Sequence, residues 1–287
     1  MSEPLGVIGL GRMAQAIVLP LVESGEIDRG DIHAVVASDT SARRLSASHG
    51  LRVSTDATEA WKADVALLAV KPQQLEAVAA TAAALSPALG GTGEAAFEEE
   101  RTLDGRAMAR QPLLISVVAG LTLGRLQALF PGRRCVRAVP NTPCLVREGL
   151  TALAWGEGMD GARKAWVRRI FGQVGEVMDL PEPQLDAFLA LTSSGPAFLA
   201  LVAEAMADGA VAMGLSRDLS HHLAHRAMAG TAALLRQKEL HPGQLKDMVS
   251  SPAGTTMAGL RRLEQAGLRS ALIEAVVAAA ERSRELA

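Results

Sequence analysis

Gly9-Leu10-Gly11-Arg12-Met13-Ala14 follows the apolar run Gly6-Val7-Ile8 and opens a helical pattern that runs to about Glu23. A strand that hands over to a helix through small residues points backbone N–H groups at an anion, and the helix dipole favours negative charge there. Gly9 permits the tight turn, Gly11 lets the backbone approach a pyrophosphate, and Ala14 allows close helix–strand packing. The chemistry implied is dinucleotide binding, with Leu10, Arg12 and Met13 in the same turn.

The adenosine ribose of such a ligand should meet Ser38-Asp39-Thr40-Ser41, followed by Arg43-Arg44. Asp39 suits a free 2′-hydroxyl and hence NADH, whereas Ser38, Thr40, Ser41 and the arginines suit a 2′-phosphate. The expectation leans to NADPH, with NADH left open and solvated helix residues as the other reading of Arg43 and Arg44. Ala69-Val70-Lys71-Pro72-Gln73 ends another strand, where Pro72 keeps Lys71 extended and makes a rigid edge able to line the cofactor. A simple stop between strand and helix would read the same way.

A hydride donor needs a proton-transfer partner, and composition removes several. The chain has no tyrosine, so a Tyr–Lys acid cannot exist, and Cys135 and Cys144 match neither a zinc ribbon nor a redox pair. His221 and His225 stand i, i+4 on a helical stretch beside His222, yet no carboxylate completes a metal site, and none is expected. A substrate that arrives cationic, such as an iminium, needs only a weak donor. Lys246 to Thr256 gathers four hydroxyls around Pro252 and Gly254 just before a helix expected over 257–265. Such a helix start suits a small carboxylate, and equally suits an ordinary helix cap.

These groups need a scaffold, and the first half of the chain supplies one by alternating apolar runs with helical patterns. Strands are expected at 6–8, 32–37, 64–70, 113–119 and 134–139, apolar on both faces as in a sheet covered by helices. The stretch 90–112 is glycine-rich and then acidic, and reads as a surface excursion. After Leu180-Pro181-Glu182-Pro183 the strand signal ends. The fold class is α/β: a Rossmann-type, doubly wound, mostly parallel sheet over 1–181, then an all-helical domain over 182–287. Helices expected at 188–213 and 272–280 are apolar nearly all round, more than one small domain can cover, so a second subunit is expected to cover them.

The 287 residues are enough for two domains, and a formal charge of −2 with scattered signs offers no surface for nucleic acid. No run approaching the roughly 20 apolar residues of a bilayer span is apparent, and Met1-Ser2-Glu3-Pro4-Leu5 is no cationic leader, so no membrane contact and a cytoplasmic location are expected.

Taken in order, the motifs resemble those of the pyrroline-5-carboxylate reductase family. They are the glycine turn; 69–73; Ser116-Val117-Val118-Ala119-Gly120; Arg137 to Pro143; Ser194-Gly195-Pro196-Ala197-Phe198; Asp208-Gly209-Ala210 with Met213-Gly214-Leu215; and His241 to Asp247 running into Ser250 to Thr256. The resemblance implies hydride transfer to C5 of 1-pyrroline-5-carboxylate, a cyclic imine carboxylate, giving L-proline. It implies that Thr256 serves the ring nitrogen, and that Ser251, Gly254 and Thr255 hold the carboxylate. It also places Ala69, Val70, Lys71, Pro72, Val118, Ala119 and Asn141 near the cofactor, and implies a homodimer through the C-terminal helices, with rings of dimers a further expectation.

Three departures stand out. Thr55-Asp56-Ala57-Thr58 has no asparagine where family members usually do; Ala253-Gly254 replaces Gly-Gly, which requires residue 253 to avoid positive φ; and the 90–112 link is long. Rival readings are an imine reductase or β-hydroxyacid dehydrogenase of the same architecture, or a non-catalytic dinucleotide-sensing dimer. The lysine–asparagine constellation of the hydroxyacid enzymes is missing from 188–235, and a sensor has no need of the hydroxyl loop.

Overall fold

The computed structural model describes residues 4–85, 100–101, 107–108 and 111–286. They form two compact units: Met1–Leu189 together with Arg282–Ala287, and Ala190–Glu281.

The first unit is built on an eight-stranded sheet. β1 (Leu5–Ile8) pairs in parallel with β2 (Ile32–Val35) on one side and β4 (Val65–Leu68) on the other. β3 (Arg52–Ser54) adds to β2, while β7 (Leu113–Ser116) and β8 (Arg134–Pro140) continue beyond β4, all parallel. β9 (Gly149–Trp155) then runs antiparallel to β8, and β10 (Gly175–Asp179) follows parallel to β9. The strand order reverses between β1 and β4, the switch point outside which such sheets bind ligands.

β1, β4 and β7 are buried at all four positions because helices cover both faces. The period-two alternation sends Val7, Leu67 and Ile115 into one core with Ile17 and Leu21 of α1 (Arg12–Glu23) and Phe171 of α6 (Gly161–Gly172). Their neighbours Ile8, Leu68 and Leu114 enter the other core. There they meet Trp61 of α3 (Thr58–Lys62), Ala79 of α4 (Leu75–Leu85) and Leu126 of α5 (Leu123–Leu129). α2 (Asp39–His49) connects β2 to β3.

Sequence patterning finds the five central strands but not β3, β9 or β10. β3 has three residues and no buried position, and β10 is only half-buried at a sheet edge, so neither shows an apolar run. β9 is buried through Thr151, Ala152 and Ala154, whose small side chains mask a strand as well as they mask a helix. Within the 90–112 excursion, β5 (Glu100–Arg101) and β6 (Ala107–Met108) pair antiparallel, and most of the remainder lies outside the described residues.

The helix expected over 188–213 is three pieces: α7 (Leu185–Leu189), a π-helical turn Ala190–Ser194, and α8 (Gly195–Ala212). Pro196 has no N–H to give the preceding turn, which favours such a break. Leu185 and Phe188 pack against Val139, Ala152 and Ala154 of the sheet, so the compact division falls after Leu189 although the strand signal ends near Pro181.

The second unit holds α8, α9 (Arg217–Gln237), α10 (Pro242–Met248), α11 (Thr255–Gln265) and most of α12 (Leu268–Glu285). The buried side chains of α8 and α9 are small, Ala203, Ala207, Ser220 and Ala224, while Leu199, Leu201, Met206, Met213 and Leu223 are exposed. Contrary to the reading from composition, Glu182–Ala212 forms a 31-residue helical run long and apolar enough to cross a membrane by length and composition. Polar residues at Asp186, Thr192 to Ser194, Glu204 and Asp208 hide it from a search for uninterrupted apolar residues.

Gly6 packs so closely under α3 that a Cβ on it would stand 1.9 Å from the Ala60 carbonyl oxygen. Gly6→Ala must push α3 off β1, with an expected loss of about 2–3 kcal/mol from overpacking. Urea unfolding checks this, and an unchanged midpoint would show that α3 is free to shift.

Candidate active site

The glycine turn sits where β1 ends. Gly9 has φ +93, and a Cβ there would lie 2.7 Å from the Ala69 carbonyl oxygen, so only glycine lets the ends of β1 and β4 meet. Ala69 N–H donates to Ile8 O at 2.8 Å, and Gly9 N–H donates to Val35 O at 2.9 Å. Gly11 is the N-cap of α1, and nothing stands within 4 Å of its missing Cβ. No side chain caps this helix and no acidic residue lies in its first turn, so its first amides have no partner among the described residues. Ala14 is buried against the sheet as the close packing requires.

The other expected cofactor residues gather on the same edge with unequal freedom. Leu10 and Val118 are core side chains that offer only backbone, Met13 packs on the core, and Arg12 is exposed. Lys71 is extended ahead of Pro72, with φ −71 and ψ 147. Val117 N–H donates to Leu68 O at 3.0 Å, which sets the Val118–Ala119 turn beside Ala69–Pro72. Asn141 ends β8 almost fully buried, and its side-chain oxygen accepts Leu150 N–H at 2.8 Å, closing the link to β9.

Beyond β2 a cavity of about 720 Å³ opens between α2 and the end of β3. Asp39, Ala42, Arg43, Ser46 and Ala47 line one side, and Val53 to Asp56 the other. This is the one-face stripe of a helix, so the structure separates the paired arginines: Arg43 lines the cavity and Arg44 does not. Ser38 is spent as the cap of α2, accepting Ser41 N–H at 3.3 Å. Asp39 accepts the Thr55 hydroxyl at 3.0 Å. Asp56 accepts the Thr58 hydroxyl and amide at 2.6 and 2.9 Å, which holds its carboxyl below the usual range. Ala42 and Ser46 escaped the sequence reading, although the i, i+3, i+4, i+7 spacing of 39, 42, 43 and 46 carries the signal, while Asp56 lies in the 55–58 stretch that departs from the family.

In the second unit, Ser251 to Thr256 form one tight loop at the start of α11. Gly254 is the N-cap, with its N–H donating to Ser251 O at 3.0 Å, and no side chain caps the helix. Thr255 and Thr256 lie in the first turn, two residues earlier than the expected start. Among the described residues the hydroxyls of Ser251, Thr255 and Thr256 make no hydrogen bond, so hydroxyls and first-turn amides are available together. His241-Pro242-Gly243-Gln244 proves to be a helix start: His241 Nδ1 accepts Gly243 N–H at 3.1 Å, and Gln244 Oε1 accepts His241 N–H at 2.9 Å. His221 and His225 are ring neighbours at 6.1 Å on α9, and no group of three or more His, Cys, Asp or Glu placed to hold a metal ion occurs among the described residues.

Comparison with known proteins decides the family. Residues 182–286 match the family model described as pyrroline-5-carboxylate reductase dimerisation, and residues 4–89 match that described as NADP oxidoreductase, coenzyme F420-dependent. Pyrroline-5-carboxylate reductase of Synechocystis sp. is 42% identical over 100% of this chain and 99% of its own. The Arabidopsis thaliana enzyme is 37% identical over 99% and 96%. The chain belongs to the pyrroline-5-carboxylate reductase family. Solved structures agree: a pyrroline-5-carboxylate reductase from Coxiella burnetii matches at TM-score 0.83 and 30% identity over 100% and 99% of the two chains. The Plasmodium falciparum pyrroline carboxylate reductase with NADP bound matches at 0.82 and 27% over 99% and 98%.

One expectation drawn from the family resemblance fails. Ala253 was required to avoid positive φ, yet it adopts φ +55, because the loop must turn sharply for Ser251 to reach the Gly254 amide. The fold therefore keeps the left-handed turn and carries the Cβ strain. Ala253→Gly should stabilise the protein by about 1 kcal/mol, the usual cost of a left-handed alanine less the added chain entropy. A lowered thermal midpoint would show the turn is not strained. The cavity predicts cofactor choice: Arg43→Ala lowers NADPH affinity relative to NADH about tenfold, as expected for loss of one charge-assisted contact, while Arg44→Ala leaves the ratio unchanged. Fluorescence titration with both nucleotides reads this, and an unchanged ratio in Arg43→Ala removes the phosphate clamp.

Proposed function

We propose that this chain reduces 1-pyrroline-5-carboxylate to L-proline, the last step of proline biosynthesis, with NADPH as donor and NADH as the second choice. The observation that carries the reading is the Ser251–Thr256 loop, whose hydroxyls have no partner among the described residues and stand at an uncapped helix start in a chain of this family. A dinucleotide sensor without turnover has no use for that loop. The Gly9 and Gly11 positions suit a dinucleotide, since one brings two strand ends together and the other leaves its backbone open.

When bound, the reduced nicotinamide supplies the hydride that adds to C5 of the ring. The chain's own residues do the rest. Gly9 to Met13 and the first turn of α1 hold the pyrophosphate, and Ala69 to Pro72, Val118, Ala119 and Asn141 border the remainder. Arg43 lines the ribose end of the site, next to Ser38, whose oxygen also caps α2. Ser251, Gly254 and Thr255, with the first amides of α11, hold the substrate carboxylate, where the helix dipole adds to the attraction. Thr256 donates a hydrogen bond to the ring nitrogen, which takes the proton that matches the hydride added at carbon, and solvent restores the hydroxyl's proton. An imine nitrogen is basic enough for a hydroxyl to suffice, in keeping with a chain that has no tyrosine.

The active form is a homodimer through the helical unit, supported by the exposed Leu199, Leu201, Met206 and Met213 and by the dimerisation match over 182–286; dimers assembled into a ring are a further part of this reading. This also explains the 182–212 run as a protein-covered face rather than a bilayer span. Two buried, unpaired cysteines with thiol pKa values raised by burial suit a reducing, cytoplasmic setting.

Mixing the protein with NADPH and 1-pyrroline-5-carboxylate should consume nicotinamide absorbance and yield proline. Thr256→Ala should lower kcat about 10²- to 10⁴-fold, the usual worth of a positioned proton donor, with NADPH affinity nearly unchanged and partial recovery in Thr256→Ser. Turnover of Thr256→Ala within about threefold of the parent would move the proton source elsewhere.

A further inference from the structure

The reaction as proposed makes no use of Arg137, which lies 3% exposed in β8. A guanidinium there must be paired. Its Nη1 donates to Glu182 Oε1 at 3.2 Å, and its Nη2 lies 4.0 Å from Asp186 Oδ1. The same Glu182 oxygen accepts Leu123 N–H, the first amide of α5, at 2.7 Å. The same Asp186 oxygen accepts the Ser283 hydroxyl at 2.7 Å. One cation thus ties β8, the 182–189 stretch, the start of α5 and the returning 282–286 segment, all within the first unit.

What these groups enclose is the loop from β7 to α5. Ser116, the register partner of Arg137, accepts Val118 N–H at 3.3 Å. Gly120 has φ +70, and a Cβ on it would stand 2.7 Å from Leu286 O. Leu123 N–H closes the loop on Glu182. The loop is therefore fixed at its start by the sheet, in its middle by the returning segment and at its end by one carboxylate.

Stability alone is a poor reason for this arrangement. Buried ion pairs gain little over apolar residues of similar size, and here Arg137 Nε has no hydrogen-bond partner among the described residues. Fixing a position is what such a pair does well. We propose that Glu182, held by Arg137, is a positioning residue for the dinucleotide site: through the Leu123 amide it sets the Val118–Thr122 loop before the cofactor arrives. This rests on the proposed function for the loop's place beside the cofactor, and preorganisation of this kind appears as affinity.

The test uses the whole protein, with NADPH binding followed by fluorescence titration and the two KM values followed by turnover. Glu182→Ala should weaken NADPH binding about tenfold, the worth of a charge-assisted hydrogen bond, with KM for the imine nearly unchanged. Glu182→Gln keeps an oxygen for Leu123 N–H and should recover most of the affinity. Leu123→Pro removes the N–H at a first helical position that tolerates proline and leaves the ion pair intact; measured against Leu123→Ala, which loses the core-packed side chain but keeps the N–H, it should show the same loss as Glu182→Ala. NADPH affinity unchanged between Leu123→Ala and Leu123→Pro, or glutamine no better than alanine at position 182, overturns the proposal and leaves the network purely structural. A parent protein that binds NADPH without reducing the imine would sink the proposed function instead, and the NADPH titrations would still decide the role of Glu182.

Discussion

A contact between Gly9 and the Ala69 carbonyl, too close for any Cβ, sets the edge of the first unit at which β1 and β4 end. Because β1 can end directly against β4, hydrogen bonds run Gly9 to Val35 and Ala69 to Ile8, and three strand ends are brought level. α1 then starts at that edge with its first amides unspent, and the β7 turn joins it through Val117. A residue with a side chain at position 9 would have to part the two strands, and the open amides of α1 would lose their floor. The burial of both sheet faces serves the same end, since strands packed on two sides cannot slide to relieve the contact.

The two units solve the burial problem in opposite ways. In the first, large side chains such as Phe171, Leu21 and Trp61 fill two cores that a single chain completes. In the second, alanine and serine sit between the helices, so backbones approach closely, while leucine and methionine point outward. A helix pair of this kind has its apolar area on the wrong side for a monomer. Large exposed apolar patches mark surfaces meant to be covered, and the dimerisation match lies over the same residues.

Much of this could be read in the sequence because it depends on local rules. Gly9 and Ala14 answer steric needs that the sequence announces, Gly11 leaves its backbone open, and Pro72 fixes Lys71 as expected. The central strands are visible because both of their faces are apolar. What escaped depends on partners distant in the chain. β9 and β10 count as strands only because β8 is beside them, and Arg43 parts from Arg44 only once α2 is laid against β3. Ala253 shows the limit of a residue rule: glycine is favoured at positive φ, but a loop held at Ser251 and Gly254 can impose it on alanine. The helical run at 182–212 was hidden for the converse reason, since polar residues that interrupt an apolar string do not interrupt a helix.

The return of residues 282–286 to the first unit gives the chain a particular order of assembly. Ser283 meets Asp186 across 97 positions of sequence, and between them lies a whole unit of helices. On a ribosome, the sheet can form while the helices are still being made, yet the segment that packs on Gly120 emerges after all of them. The nascent first unit therefore waits with its β7 turn half-supported, and long-range closure comes late because chain entropy opposes it until the intervening helices have condensed. The β7 turn is thus complete only once the whole helical unit has been synthesised.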